Sequence, residues 1–176
     1  MTTPGDGEDF PGATDLVTEA LTSPVAAAVR ERVLHQLLGS LLYEGSFRPG
    51  TVDLDVLDTA LDTAPDSTPD TAADATADGE PQPCEIRCPN GVRYTFLARR
   101  RATFGRITVD QLLRDGQPPT SVSGFLADIA DLVDADADRL PRFARELEET
   151  WVKDTLAQHH RRRIEAAPLA GLDADT

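Results

Sequence analysis

Of the 17 basic residues in this chain only one, Lys153, is lysine; the other sixteen are arginine. Aromatic residues are scarce at 5%, and cysteine occurs twice. No apolar run approaches the ~20 residues that span a bilayer, which excludes a transmembrane helix. The opening MTTPGDGEDFPGATDL has no basic residue ahead of an apolar stretch and so does not read as a secretory signal. A soluble, cytoplasmic protein is expected. Gly-rich phosphate loops, G-x-S-x-G, H-E-x-x-H and C-x-x-C are all absent, so no catalytic site is visible by motif. Cys84 and Cys88 on one strand would stand roughly 13 Å apart, beyond the ~7 Å limit for a disulfide. Same-face packing beside Ile86 is the expectation, and with no further ligand nearby a zinc site is rejected.

What the chain does have is acid. Asp and Glu number 31 against 17 basic groups, for a net charge of −14. This composition fits a cytoplasmic protein adapted to high salt, where self-repulsion is screened; an ordinary acidic protein of a GC-rich genome is the alternative. Net charge argues against nucleic acid as the principal partner. One island runs the other way: Arg87 to Arg114 holds seven arginines and one acid, Asp110, a balance of +6. Arg99, Arg100, Arg101 and Arg106 are therefore candidate residues for holding an anion or a negatively charged partner.

At 176 residues the chain has room for one domain. Residues 1–13 read as a disordered tail, 14–165 as one α+β domain, and 166–176 as a frayed end. A first helix is expected over Asp15 to Leu21. Ser23-Pro24 reads as an N-cap and first helical residue of a second, with Val25, Val29, Val33/Leu34, Leu37/Leu38 and Leu41 at helical spacing and a stop near Gly45. Asp53 to Leu61 suits a short amphipathic helix. Residues 62–83, rich in Asp, Thr, Ala and Pro, read as a flexible insertion that offers no large side chain to a core. Three antiparallel strands follow: Cys84–Cys88, Val92–Ala98 across a Pro89-Asn90-Gly91 turn, and about Ala102 to Val109. A short helix over Gln111 to Asp115, capped by Asp110, comes next. A helix from Ser121 or Ser123 carries Phe125/Leu126, Ile129 and Leu132/Val133. The last is capped by Asp138 and runs to about Arg163, with Phe143 and Leu147 turned to the sheet. The fold class is α+β, with helices on one face of a three-stranded meander at about 84–109.

Other polar clusters read as ordinary surface. His159-His160 at the end of the last helix point about 100° apart and do not converge on one ion; with Arg161 to Arg163 they suit a helix C-terminus. His35 reads as a residue at the core's edge. Glu146, Glu148, Glu149 and Asp154 read as a solvated helix face.

Three stretches, in order, resemble the N-terminal part of the NRPS-independent siderophore synthetases, the aerobactin-synthetase (IucA/IucC) family. They are Leu34 to Gly45 (LHQLLGSLLYEG), ending in a Tyr-Glu pair; Gly91 to Leu113, with a Y-x-F strand followed by Phe104-Gly105-Arg106-Ile107; and Phe143 to Gln158 (FARELEETWVKDTLAQ). The resemblance covers roughly residues 25–160 and departs at the acidic insertion. It implies an ATP- and Mg-dependent ligase of siderophore biosynthesis and iron acquisition, which adenylates a citrate-like carboxylate and condenses it with an amine or hydroxyl. The family's catalytic part opens with a His-Pro-x-x-Lys motif that has no match here, so no catalytic residue carries over. The chain then reads as a detached or truncated N-terminal region, inactive alone, whose partner is the remainder of the synthetase on the same or a separate chain. A homo-oligomer is left open. The alternative is a non-enzymatic acidic adaptor that docks a partner through the arginine-rich sheet edge.

Overall fold

The computed structural model describes residues 12–53, 79–101, 105–134, 136 and 138–166. Most of the tails expected at 1–13 and 166–176, the helix expected after Asp53 and the insertion up to residue 78 lie outside them; Ala13 and Ala166, placed in those tails, belong to helices. The chain divides into two compact units, Met1–Val29 with Glu149–Thr176, and Arg30–Glu148. Among the described residues, four α-helices and a three-stranded antiparallel sheet make a mixed α+β fold.

The first unit holds α1 (Ala13–Thr22), the start of α2 (Pro24–Tyr43) and most of α4 (Leu140–Ala166). Ser23 stands at the expected N-cap position of α2, its carbonyl accepting the Ala26 N–H at 3.1 Å. Its hydroxyl, however, donates backwards to the Ala20 carbonyl at 2.6 Å, and its backbone N–H donates to the same oxygen at 3.2 Å. It closes α1, because the orphan carbonyls of that helix end compete for the same side chain. Pro24 then opens α2, where its missing N–H costs nothing. The Trp151 indole N–H donates to the Ala26 carbonyl at 2.9 Å, tying α4 to α2.

The second unit is built on the sheet. Strand β1 (Gln82–Arg87) pairs with β2 (Arg93–Arg100), which pairs with β3 (Ile107–Arg114), in the order β1-β2-β3. Gln82 and Pro83, assigned by sequence to the insertion, pair with Ala98 and Leu97. Cys84, Ile86, Tyr94, Phe96, Ala98, Ile107, Val109 and Leu112 are the buried face. Cys84 and Cys88 are free thiols, both buried.

The third strand was placed too early, and the helix expected after it does not form. Residues 110–114 continue β3 through a bulge: Thr95 pairs with Leu113 but Leu97 with Asp110, and Gln111 takes φ 54°. The extra residue resets the two-residue alternation, so Leu112 is buried where a regular strand would bury Gln111. The Leu-Leu pair that read as helical is a strand in which the inward face has shifted by one. Asp110 caps nothing, and the chain turns at Asp115-Gly116 with φ 49° and 82°.

Helix α3 (Val122–Ile129) packs Val122, Phe125, Leu126 and Ile129 into the core. Ser121 is its cap, accepting the Gly124 N–H at 2.9 Å, while the Glu148 carboxylate accepts from Ser123 N at 2.8 Å. A negative charge there suits the helix dipole. The helix stops at Ile129, and a 3-10 turn takes over at Ala130–Leu132. Val133 then bridges Phe47. At the start of α4 the carboxylate accepting a backbone N–H is Asp136, from Asp138 at 3.0 Å, rather than Asp138 itself. Phe143 is 40% exposed and Leu147 half-buried, so neither is the sheet-facing anchor that helical spacing suggested. No helix among the described residues is long and apolar enough to cross a membrane.

Candidate functional site

Gly39 is what lets α2 approach β3. A Cβ at this position would lie 2.7 Å from the Ile107 carbonyl oxygen, so only glycine permits the contact. Beside that contact lies a cleft of about 570 Å³ between the second half of α2 and the start of β3. His35, Ser40, Tyr43 and Glu44 line it from the helix, and Arg106 and Thr108 from the strand. His35 Nε2 accepts the Leu112 backbone N–H at 3.4 Å, which leaves Nδ1 as the protonated nitrogen of the neutral ring. Burial lowers its pKa, although the charges of Glu31 and Asp110 pull the other way. Tyr43 is 54% exposed. Arg106 and Glu44 are also exposed, and neither has an ion pair among the described residues.

The four candidate arginines do not share one surface. Arg100 lies on the face of β2 that carries Tyr94, Phe96 and Ala98, and its Nη1 donates to the Gly105 carbonyl at 3.4 Å. Arg99 lies on the opposite face, and its Nε is buried with no hydrogen bond among the described residues. Arg101 and Arg106 are exposed and meet at the mouth of the β2–β3 connection, where Arg101 N donates to Arg106 O at 2.7 Å. Phe104, between them in sequence, lies outside the described residues. Of the four, Arg106 alone lines the cleft.

A second constellation joins the sheet to α3. Asp128 Oδ2 accepts from Tyr94 Oη at 2.7 Å and from Arg114 Nε at 2.9 Å, and its Oδ1 accepts from Asn90 Nδ2 at 2.8 Å. Burial opposes the charge on Asp128, but the three donors outweigh it and hold its pKa below the ordinary value. The Tyr94 phenol is correspondingly held protonated, by burial first and by the carboxylate it donates to. Sequence inspection missed this group. The available signal was an acid at position 128, three residues from Phe125 and next to Ile129, on the apolar side of a short helix.

The histidines and carboxylates weighed earlier stay apart: His159 lies 3.6 Å from Glu19, Glu146 pairs with Arg142, and Glu149 with Lys153. No group of three or more His, Cys, Asp or Glu among the described residues is placed to hold a metal ion.

No family model matches the chain. It is 32% identical over 149 residues to a citryl-spermidine/3,4-dihydroxybenzoyl-citryl-spermidine:spermidine ligase of Bacillus anthracis, covering 82% of this chain and 21% of that one. It is also similar to the crystal structure of the petrobactin biosynthesis protein AsbB from B. anthracis str. Sterne, with a TM-score of 0.56 and 31% identity, covering 81% and 21% of the two chains. The chain thus spans about one fifth of the length of these relatives. The resemblance to NRPS-independent siderophore synthetases of the IucA/IucC type, carried in sequence by three short stretches, holds over most of the chain.

Proposed function

We propose that this chain, a relative of the NRPS-independent siderophore synthetases, is the N-terminal part of an ATP-dependent synthetase that joins a citrate-like carboxylate to an amine or hydroxyl in the cytoplasm. The observation that carries this reading is the 32% identity to a citryl-spermidine ligase along 149 residues. The shared fold, four helices and a three-stranded antiparallel sheet among the described residues, supports it. In this reading ATP and magnesium are held by the remainder of the synthetase. No group of three or more His, Cys, Asp or Glu among the described residues is placed to hold the metal, which supports that division, and no chemical step is assigned to this chain. Its part is to pack against and position the catalytic portion. The adaptor alternative asks for a continuous arginine surface, and the split of Arg99 and Arg100 over two faces gives it less support.

Purification from the native host, followed by mass spectrometry, tests the proposal. Residues 1–176 should be recovered joined to, or bound by, a polypeptide containing a His-Pro-x-x-Lys stretch. That assembly should release AMP from ATP when given a citrate-like acid, an amine and magnesium. Recovery of a lone 19.0 kDa protein with no such companion would overturn the reading.

A further inference from the structure

Two of the three stretches that carry the family resemblance meet at one place. Leu34 to Gly45 supplies His35, Ser40, Tyr43 and Glu44 to the cleft beside β3, and Gly91 to Leu113 supplies Arg106 and Thr108. The third stretch, Phe143 to Gln158, lines none of it. We propose that this cleft is where the chain docks the remainder of the synthetase, with Tyr43 and Arg106 as the anchors. The proposal rests on the synthetase reading above and adds the surface through which it operates.

On the synthetase reading, the size of the relatives calls for such a surface. This chain matches 21% of the ligase, so roughly four fifths of a protein of that kind must pack against something. Tyr43, at the end of α2, is the most exposed aromatic side chain among the described residues, at 54%. Arg106 faces the same cleft with no carboxylate partner among those residues. Exposed tyrosine and arginine lining a concave, partly apolar patch are among the residue types that carry most interface energy. Charge favours the same location. The chain carries −14 overall, whereas the cleft is lined by one arginine, one glutamate and a histidine that burial keeps neutral. An acidic partner would meet less repulsion here than over the strongly acidic remainder of the chain. The matching surface should offer an apolar side chain to the Tyr43 ring, a carboxylate to Arg106 and a cation to Glu44.

The native thiols make a clean experiment feasible. Cys84 and Cys88 are both buried, and burial pushes the Cys88 thiol up to about 11, so a thiol reagent should spare them. Tyr43→Cys and, as a control away from the cleft, Phe143→Cys are each labelled with a photo-crosslinker in the assembly purified from the host. Thermal melts of both variants, matched to the parent, confirm folding. The expected result is an adduct from position 43, and not from 143, to residues outside 1–176 on a polypeptide that contains His-Pro-x-x-Lys. If that polypeptide is present but crosslinks from 143 alone, or position 43 reacts only with a second copy of this chain, the docking surface is wrong while the synthetase reading stands. If no such polypeptide is recovered, both fall. A second variant, Arg106→Glu, should weaken association with the catalytic portion at least tenfold in a salt-dependent manner; unchanged affinity also overturns the proposal.

Discussion

Tyr94 donates its phenolic hydrogen to Asp128 across 2.7 Å, and this bond fastens the centre of the sheet to α3. The Tyr94 ring stands edge-on to Phe125 with centroids 5.1 Å apart, so one residue makes both the apolar and the polar contact with that helix. Tyr94→Phe keeps the ring and loses the hydrogen bond, and should cost about 0.5–1.5 kcal/mol. Asp128→Ala should cost more, about 1–3 kcal/mol, because the fully buried phenol is left without an acceptor. Urea denaturation of both variants and of the double variant measures the coupling. Strictly additive costs would mean that the bond contributes nothing.

The same carboxylate sets an acid limit on stability. Its folded pKa is depressed below the ordinary 3.8, so its stabilisation is fully present above that value and is lost as the pH falls through the folded pKa. The expected outcome is a loss of stability below about pH 4 that is shallower in Asp128→Asn, which cannot titrate. Denaturant midpoints between neutral and acid pH check this. Identical slopes in the parent and the variant would assign the acid sensitivity to other carboxylates.

Gly39 sets helix propensity against packing. In an exposed helix Gly→Ala gains roughly 1 kcal/mol. Here the added methyl would sit 2.7 Å from the Ile107 carbonyl, backbone that cannot swing aside. Gly39→Ala should therefore destabilise by about 1–3 kcal/mol, as overpacking generally does. A raised melting temperature would show that α2 can shift away from β3 without loss.

Most of this architecture was legible in the sequence where periodicity is uninterrupted. The 20 residues of α2 and the Pro89-Asn90-Gly91 hairpin stand where apolar spacing and turn residues put them. Legibility failed where a local device overrides the period. The bulge at Asp110-Gln111 turned the Leu112-Leu113 pair from an apparent helix into strand, and no composition rule marks a bulge without a glycine. Cap side chains went astray for a related reason: the Ser23 hydroxyl is taken by the Ala20 carbonyl three residues back, and Asp138 stands two residues from Asp136, which accepts its N–H. The arginine island was visible as charge, but not its division between two faces, which depends on where β2 ends. Tyr43 and Glu44 were noted only as the end of a helix and as part of a family-like segment. Their place beside Arg106 depends on a long-range approach of helix to strand that a single sequence does not announce.

Phe125 and Phe143 both fall at apolar helical spacing, yet they differ in what they hold, as does the buried Thr155. Phe143 recurs at helical spacing with Leu140, Leu147 and Trp151, yet it is 40% exposed, whereas Phe125 is 1% exposed and in contact with Tyr94. Phe125→Ala should cost about 3–5 kcal/mol through lost burial and the cavity left behind. Phe143→Ala should cost less than about 1 kcal/mol, since much of its ring already meets water. Thr155, the one fully buried residue described in α4, has a hydroxyl with no hydrogen-bond partner. Its burial without a partner carries a desolvation cost, so Thr155→Val, close to it in shape, should be neutral or stabilising by about 1 kcal/mol. Thermal and urea melts of the three variants decide the order. If Phe143→Ala proved as damaging as Phe125→Ala, the 140–148 part of α4 would belong to the core. If Thr155→Val lowered stability by more than about 1 kcal/mol, its hydroxyl would have a partner, such as a bound water, that satisfies it.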